Sequence, residues 1–342
     1  MKDKKDEFKI FQPLEYQTEM KSLGPDGRFH YLVYNSEADK YAYVFNKKYT
    51  EDASFYSPYL VHKIGKKIGI NVPSTELGLY LEKDIDTGNY RDSFYETSLV
   101  YLDGMSKFSR FSRDFSYADS EVVQAIYLLE DEKGAQERRE KAFGNAIPIT
   151  IDEYVMSNLH FITTRGNKPK QEFSEQEIED IKQELIDRAM FGLKFGIHGK
   201  NSIVMYGHKN AKLDNYYLSS SNMFSFNVRT EWIEEQLKKD DDEFKKAIDL
   251  EYRPQYGLLP NISEPTNKQV LDYIYAKYPK QAEKAYKKIS SYSEQDLKEE
   301  LSSYTRLDDS RKEYALRVFK AKEKEFNESY KNHLKNKEQE IR

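Results

Sequence analysis

The period of the hydrophobic pattern changes along the chain, and that change limits the fold more than any other feature. From Phe29 to Tyr49 apolar and polar residues alternate, FHYLVYN and then YAYVFNKKY. A period of two lays one face of a strand on a core. The polar turn from Ser36 to Lys40 predicts that the two strands run antiparallel. A helix is predicted over 58–68, where Leu60, Val61, Ile64 and Ile68 share one face. Ser57 is placed to cap it, Pro58 suits a first turn that needs no amide hydrogen, and Gly69 ends it. Strands are predicted at 75–81 and 94–102, separated by a turn from Asp84 to Asn89. The order is strand, strand, helix, strand, strand.

Beyond residue 147 the period is helical. Thr150 and Glu153, and again Ser174 and Glu177, have the spacing of a capping box. The first opens a helix reaching about Phe161. The second opens a longer one with Ile178, Ile181, Leu185, Ala189 and Leu193 on one face. Short strands are predicted at 202–206 and 215–218, and helices near 266–278, 294–303 and 310–335. The last is long and polar and is expected to fray. The fold class is α+β. Four stretches divide the chain: a polar segment over 1–28, a β-rich unit with one helix over 29–104, a linker or insert over 105–146 holding a short helix near 120–129, and a helical unit over 147–342.

Composition narrows the function classes. The chain of 342 residues is 38% hydrophobic and holds 28 tyrosines, which suits a packed protein with many half-buried rings. Its net charge of −5 gives no global field for nucleic acid. The lysines at 320, 322 and 324 alternate with Glu323 and Glu325, the pattern of a solvated helix face. With no cysteine there is no disulfide, thiolate metal site or thiol nucleophile. The start MKDKKDEFKI lacks the apolar core of a signal peptide, and no run approaches the roughly 18 apolar residues of a membrane helix. The expected location is the cytoplasm, with no membrane partner; export without a cleaved signal leaves no mark in such a sequence. None of the six histidines forms a zinc-type pair, and there is no nucleophile elbow, Walker loop or dinucleotide-binding glycine motif.

Several stretches, in order, carry a resemblance. SPYLVHKIGKKIGINVPSTELGLYL (57–81), SLVYL (98–102), FGIHGKNSIVMY (195–206), NYYLSSSNMF (215–224) and VLDYIYAKYPKQAEKAYKKI (270–289) resemble the HipA-like protein kinases, most closely the bacterial cell-translocating kinase A branch. The resemblance covers about residues 29–330. It implies a two-lobed kinase fold, with a small β-rich lobe and a large helical one. It also implies a place for each part of phosphoryl transfer: a lysine on the phosphates, an acid holding that lysine, an acid orienting the nucleophile, and hard oxygen ligands on magnesium.

Most of those positions hold the wrong residue. The family lysine falls on Asn46, with Lys47 and Lys48 beside it; Lys47 takes the role after a one-residue slip, and otherwise both lysines are solvated. The acid on the small-lobe helix falls on Pro58, leaving Glu51 or Asp52 upstream as substitutes. The catalytic Asp falls on Gly196, which can neither accept a proton nor orient a hydroxyl. His198 matches the family histidine, in a structural or a catalytic role. Asn201 matches the metal-binding amide, and Lys200 is either a phosphate contact or a solvated loop lysine. The second metal-binding Asp falls on Leu218, and Asp214 lies four residues earlier.

Four expected charges are therefore missing together. The resemblance then implies a pseudokinase that binds ATP and magnesium weakly or not at all and works by binding a protein partner. The rival reading is an active ATP-dependent Ser/Thr phosphotransferase, or a nucleotidyl transferase, with a rearranged site. It would use Lys47 and Lys200 on the cofactor and Asn201 and Asp214 on the metal.

Overall fold

The computed structural model describes residues 9–11, 21–22, 29–35, 40–46, 53, 55–72, 74–83, 90–102, 174–197, 223–226, 228–252, 259, 262 and 265–341. Six strands come first: β1 (Lys9–Phe11), β2 (Lys21–Ser22), β3 (Phe29–Asn35), β4 (Lys40–Asn46), β5 (Thr75–Lys83) and β6 (Tyr90–Leu102). They form one sheet in the order β1-β5-β6-β4-β3-β2. The alternating segments at 29–35 and 40–46 pair antiparallel, with Tyr31 opposite Val44. The long strand β6 is central, joined to β4 on one side (Asn46 opposite Thr97) and to β5 on the other (Thr75 opposite Val100). β1 adds to β5 in parallel, so the sheet is mixed.

Helix α1 (Tyr56–Ile68) crosses between β4 and β5 in sequence and packs on β5 and β6. Leu60, Val61, Ile64 and Ile68 are buried, as their spacing predicts. The cap is different. The helix starts at Tyr56, so Ser57 lies inside the first turn, and Phe55 at the cap position supplies no side-chain bond. Phe55 and Tyr56 are themselves fully enclosed, and their burial extends the helix towards its N-terminus. Ser57 Oγ instead donates to the carbonyl of Met223 at 3.3 Å. Gly69, at φ 72°, closes the other end.

Seven helices follow among the described residues: α2 (Glu175–Phe195), α3 (Thr230–Leu237), α4 (Asp241–Glu251), α5 (Asn267–Lys277), α6 (Pro279–Ile289), α7 (Glu294–Ser302) and α8 (Asp309–Ile341). α3 and α4 lie where the hydrophobic pattern predicts no element. Asp240 caps α4 through the Glu243 amide at 2.9 Å. The capping boxes of α5 and α7 are built by Thr266 with Gln269 and by Ser293 with Asp296. The boxed helix at Thr150, the short helix near 120–129, the strands at 202–206 and 215–218 and the boundary near Gly104 lie outside the described residues. Among the described residues, no helix is long and apolar enough to cross a membrane.

The expectation for α8 needs correction. It continues to Ile341, and Tyr314, Ala315, Val318, Phe319, Lys322, Glu325, Phe326 and Ser329 form a buried stripe. It runs against α2, α3, α5 and α7. Three polar residues within that stripe disguise it in the sequence. Lys322 Nζ lies 3.3 Å from Asp249 of α4 and 3.6 Å from Glu325. Loss of water pushes the Glu325 carboxyl up from its ordinary value, against the pull of Lys322.

Two outcomes are expected. Ile64→Ala removes a side chain with no exposed surface and costs about 2–5 kcal/mol in urea unfolding followed by Trp232 fluorescence. Asp296 of α7 accepts from Lys67 of α1 at 2.7 Å. That bond, followed by the Ser293 amide, holds its carboxyl down to about 2. A folded-state value below the unfolded one means that the ion pair stabilises above about pH 4 and that its contribution is lost as pH falls towards 2. Asp296→Asn should therefore lower the melting temperature at pH 7, and the gap to the native chain should close on acidification. Both side chains are partly exposed, so the gap is small, under about 1 kcal/mol.

Candidate functional site

The sequence reading centres the site on the end of α2, where FGIHGKN begins, and there the chain is rooted deep in the helical core. Phe191, Phe195 and Ile197 are buried, and the Phe195 ring meets Phe319 of α8 and Tyr292, each at 5.7 Å between centroids. Lys194 is enclosed beside them. Its ammonium donates to the carbonyls of Ile289 (3.1 Å) and Tyr292 (2.9 Å) and lies 3.3 Å from Glu323 of α8. The ring of Phe319 sits 5.0 Å away. Burial pulls the Lys194 ammonium below its usual value, and Glu323 pulls the other way. The cation ties the last turn of α2 to the α6–α7 connection, two residues before the critical glycine.

Gly196 ends α2 at φ 60°, a left-handed conformation that favours glycine. Ile197 donates back to the Gly192 carbonyl at 3.0 Å. The glycine is buried. A Cβ at this position would lie 3.2 Å from the Tyr252 ring and 3.5 Å from Val318 of α8. A side chain here would therefore leave the backbone towards the packed helices. Gly196 is thus held by its own backbone geometry and by Tyr252.

The other positions read from the sequence divide into described and undescribed. Asn46 is the last residue of β4, paired with Thr97 of β6. Pro58 is buried in the first turn of α1. Lys47, Lys48, Glu51, Asp52, His198, Lys200, Asn201, Asp214 and Leu218 lie outside the described residues. The end of the NYYLSSSNMF stretch is described. Met223 and Phe224 are buried in a single 3-10 turn, and Phe224 has φ 51° and ψ 27°. A left-handed Phe costs about 1–3 kcal/mol. It is held by burial and by Phe226, 6.1 Å away. This turn meets the start of α1: the Ala53 amide donates to the Phe226 carbonyl at 2.9 Å, beside the Ser57–Met223 bond. The structure so brings Pro58's turn against the segment that follows the second expected metal position.

Lys194 and the docking of α1 on 223–226 carry no mark in the sequence, because their partners are far away along the chain. Among the described residues, no group of three or more His, Cys, Asp or Glu is placed to hold a metal ion.

Comparison with known proteins adds the fold. No family model matches the chain, and no curated protein matches it by sequence. The crystal structure of a Helicobacter pylori proinflammatory kinase, CtkA, matches it with a TM-score of 0.58 at 10% identity, over 94% of this chain and 98% of that one. The fold is kinase-like. At that identity the likeness fixes architecture and leaves chemistry to the residues present.

Gly196→Ala should cost about 1–2 kcal/mol for the left-handed backbone. Gly196→Asp should cost more, because burial takes water from its carboxylate. Thermal melts of the two variants beside the native chain check the order; an Asp variant as stable as the native chain would place the side chain in solvent.

Proposed function

We propose that this chain is a kinase-fold protein without ordinary phosphotransfer, a pseudokinase that acts by binding a protein partner as a regulatory module. In this reading the sheet with α1 is a small lobe and the helices form a large one. ATP and magnesium bind weakly or not at all. The observation that carries the reading is Gly196: the position of the expected catalytic acid is a buried, left-handed glycine with Tyr252 against its Cβ direction. Pro58 supports it, since a buried proline replaces the acid that would hold a phosphate-binding lysine. With Asn46 and Leu218 also uncharged, the parts that act as a unit in phosphoryl transfer are missing as a unit.

The test is labelled-ATP transfer on the native chain, on Asn201→Ala, on Gly196→Asp, and on Gly196→Asp combined with Leu218→Asp, Pro58→Glu and Asn46→Lys. Neither the native chain nor Gly196→Asp should transfer phosphate, and a melt run beside the assay separates misfolding from absent chemistry. Magnesium-dependent transfer by the native chain, abolished in Asn201→Ala, would overturn the reading in favour of a rearranged phosphotransferase using Lys47, Lys200, Asn201 and Asp214.

A further inference from the structure

In a kinase fold the helix beside the sheet is a moving part, since its position brings an acid to the phosphate-binding lysine and takes it away. Here the helix in that place has no acid to deliver, and its two ends are fastened to the helical body. At the N-terminal end the Tyr56 ring stacks on Tyr304 at 4.5 Å, with the planes 8° apart. Tyr56 OH accepts from the Arg306 amide at 3.3 Å. Ser57 and Ala53 bond the 223–226 turn. At the C-terminal end Lys67 pairs with Asp296 at 2.7 Å and lies over the Tyr292 ring. Just past that end, Asn71 donates to Glu184 of α2 at 3.2 Å. The face between these ends is buried against β5 and β6.

We propose that α1 is a fixed strut that couples the sheet and the helical body into one cooperative unit, in place of a mobile regulatory helix. The contacts span the helix from Ala53 to Asn71 and reach three separate places: the 223–226 turn, the α7 region from Tyr292 to Arg306, and α2. A swing about either end breaks contacts at the other. Two units that meet through a modest interface ordinarily move relative to each other, and a shared, doubly anchored helix removes that freedom. The inference goes beyond the loss of phosphotransfer and stands or falls separately from it, because an active enzyme can also carry a fixed helix.

The experiment follows hydrogen exchange by mass spectrometry along a urea titration, with peptides from α1, β5, β6 and α2. Fluorescence of Trp232, the single tryptophan, reports the helical body. In the native chain all peptides and Trp232 should share one midpoint, and on adding magnesium-ATP the exchange of α1 should change by the same factor, within about twofold, as that of β5, β6 and α2. Lys67→Ala with Asn71→Ala, both at exposed positions, should bring the β5 and β6 transition to lower urea while leaving the Trp232 midpoint in place. Tyr304→Leu, at a fully buried position of the helical body, should lower both transitions, that of β5 and β6 further than that of Trp232. Sheet peptides that exchange ahead of Trp232 in the native chain overturn the strut. So does a tenfold gain in protection with magnesium-ATP that is confined to α1 and absent from β5, β6 and α2, which marks a helix that moves by itself to meet its ligand. A Lys67→Ala/Asn71→Ala/Tyr304→Leu variant, with contacts removed at both ends, whose transitions stay coincident overturns it too, since the named contacts then do not do the coupling. The labelled-ATP assay reads the other question: transfer by a chain that unfolds as one unit ends the pseudokinase reading and leaves the strut intact.

Discussion

One buried helix face organises the helical body. The stripe from Tyr314 to Ser329 on α8 gives α2, α3, α5 and α7 a common surface, and α4 and α6 reach it through Phe244 against Tyr314 and Tyr286 against Phe326. The stripe is not purely apolar. Lys322 and Glu325 sit inside it and are tolerated because Asp249 and Lys245 of α4 meet them. A buried ion pair of this kind adds little net stability over apolar residues, but losing one partner leaves an uncompensated charge. The docking of α4 is thereby tied to the register of α8. Arg317 works in the same way from the other side. It donates to the Leu237 and Lys239 carbonyls, pairs with Asp241 and covers the Phe244 ring at 4.1 Å.

Where a segment's own residues determine its structure, the sequence was legible. The paired strands at 29–35 and 40–46, helix α1 with its apolar face, and the helices expected near 266–278 and 294–303 all follow from local periodicity. The rest depended on partners distant in sequence. The buried face of α8 was hidden because Lys322, Glu325 and Ser329 occupy apolar positions, and Asp249 and Lys245, which meet the two charges, lie on another helix. Similarly, α2 buries Ile186, Met190 and Phe191 as well as the expected Leu185 and Leu193. It is covered on more than one side, which a single-face pattern does not reveal. Ser57 looked like a cap because serine before proline usually is one. The burial of Tyr56 and Phe55 moved the helix start and gave the hydroxyl a different acceptor.

At the candidate site, sequence and structure contribute different things. The resemblance carried by FGIHGKN implies an acid at 196, where the chain has glycine. Only the backbone shows that the glycine there has a geometric reason to be glycine, at the left-handed end of a helix whose last turn Lys194 pins from below. The strained Phe224 turn and the start of α1 are neighbours in the same way, although nothing in either sequence segment refers to the other.

The geometry at Gly196 also restricts which substitutions the chain accepts. A side chain there must take a left-handed backbone and find room between Tyr252 and Val318. Change at 196 is therefore coupled to change at 252 and 318, and the end of α2 varies only together with the interior on which it rests.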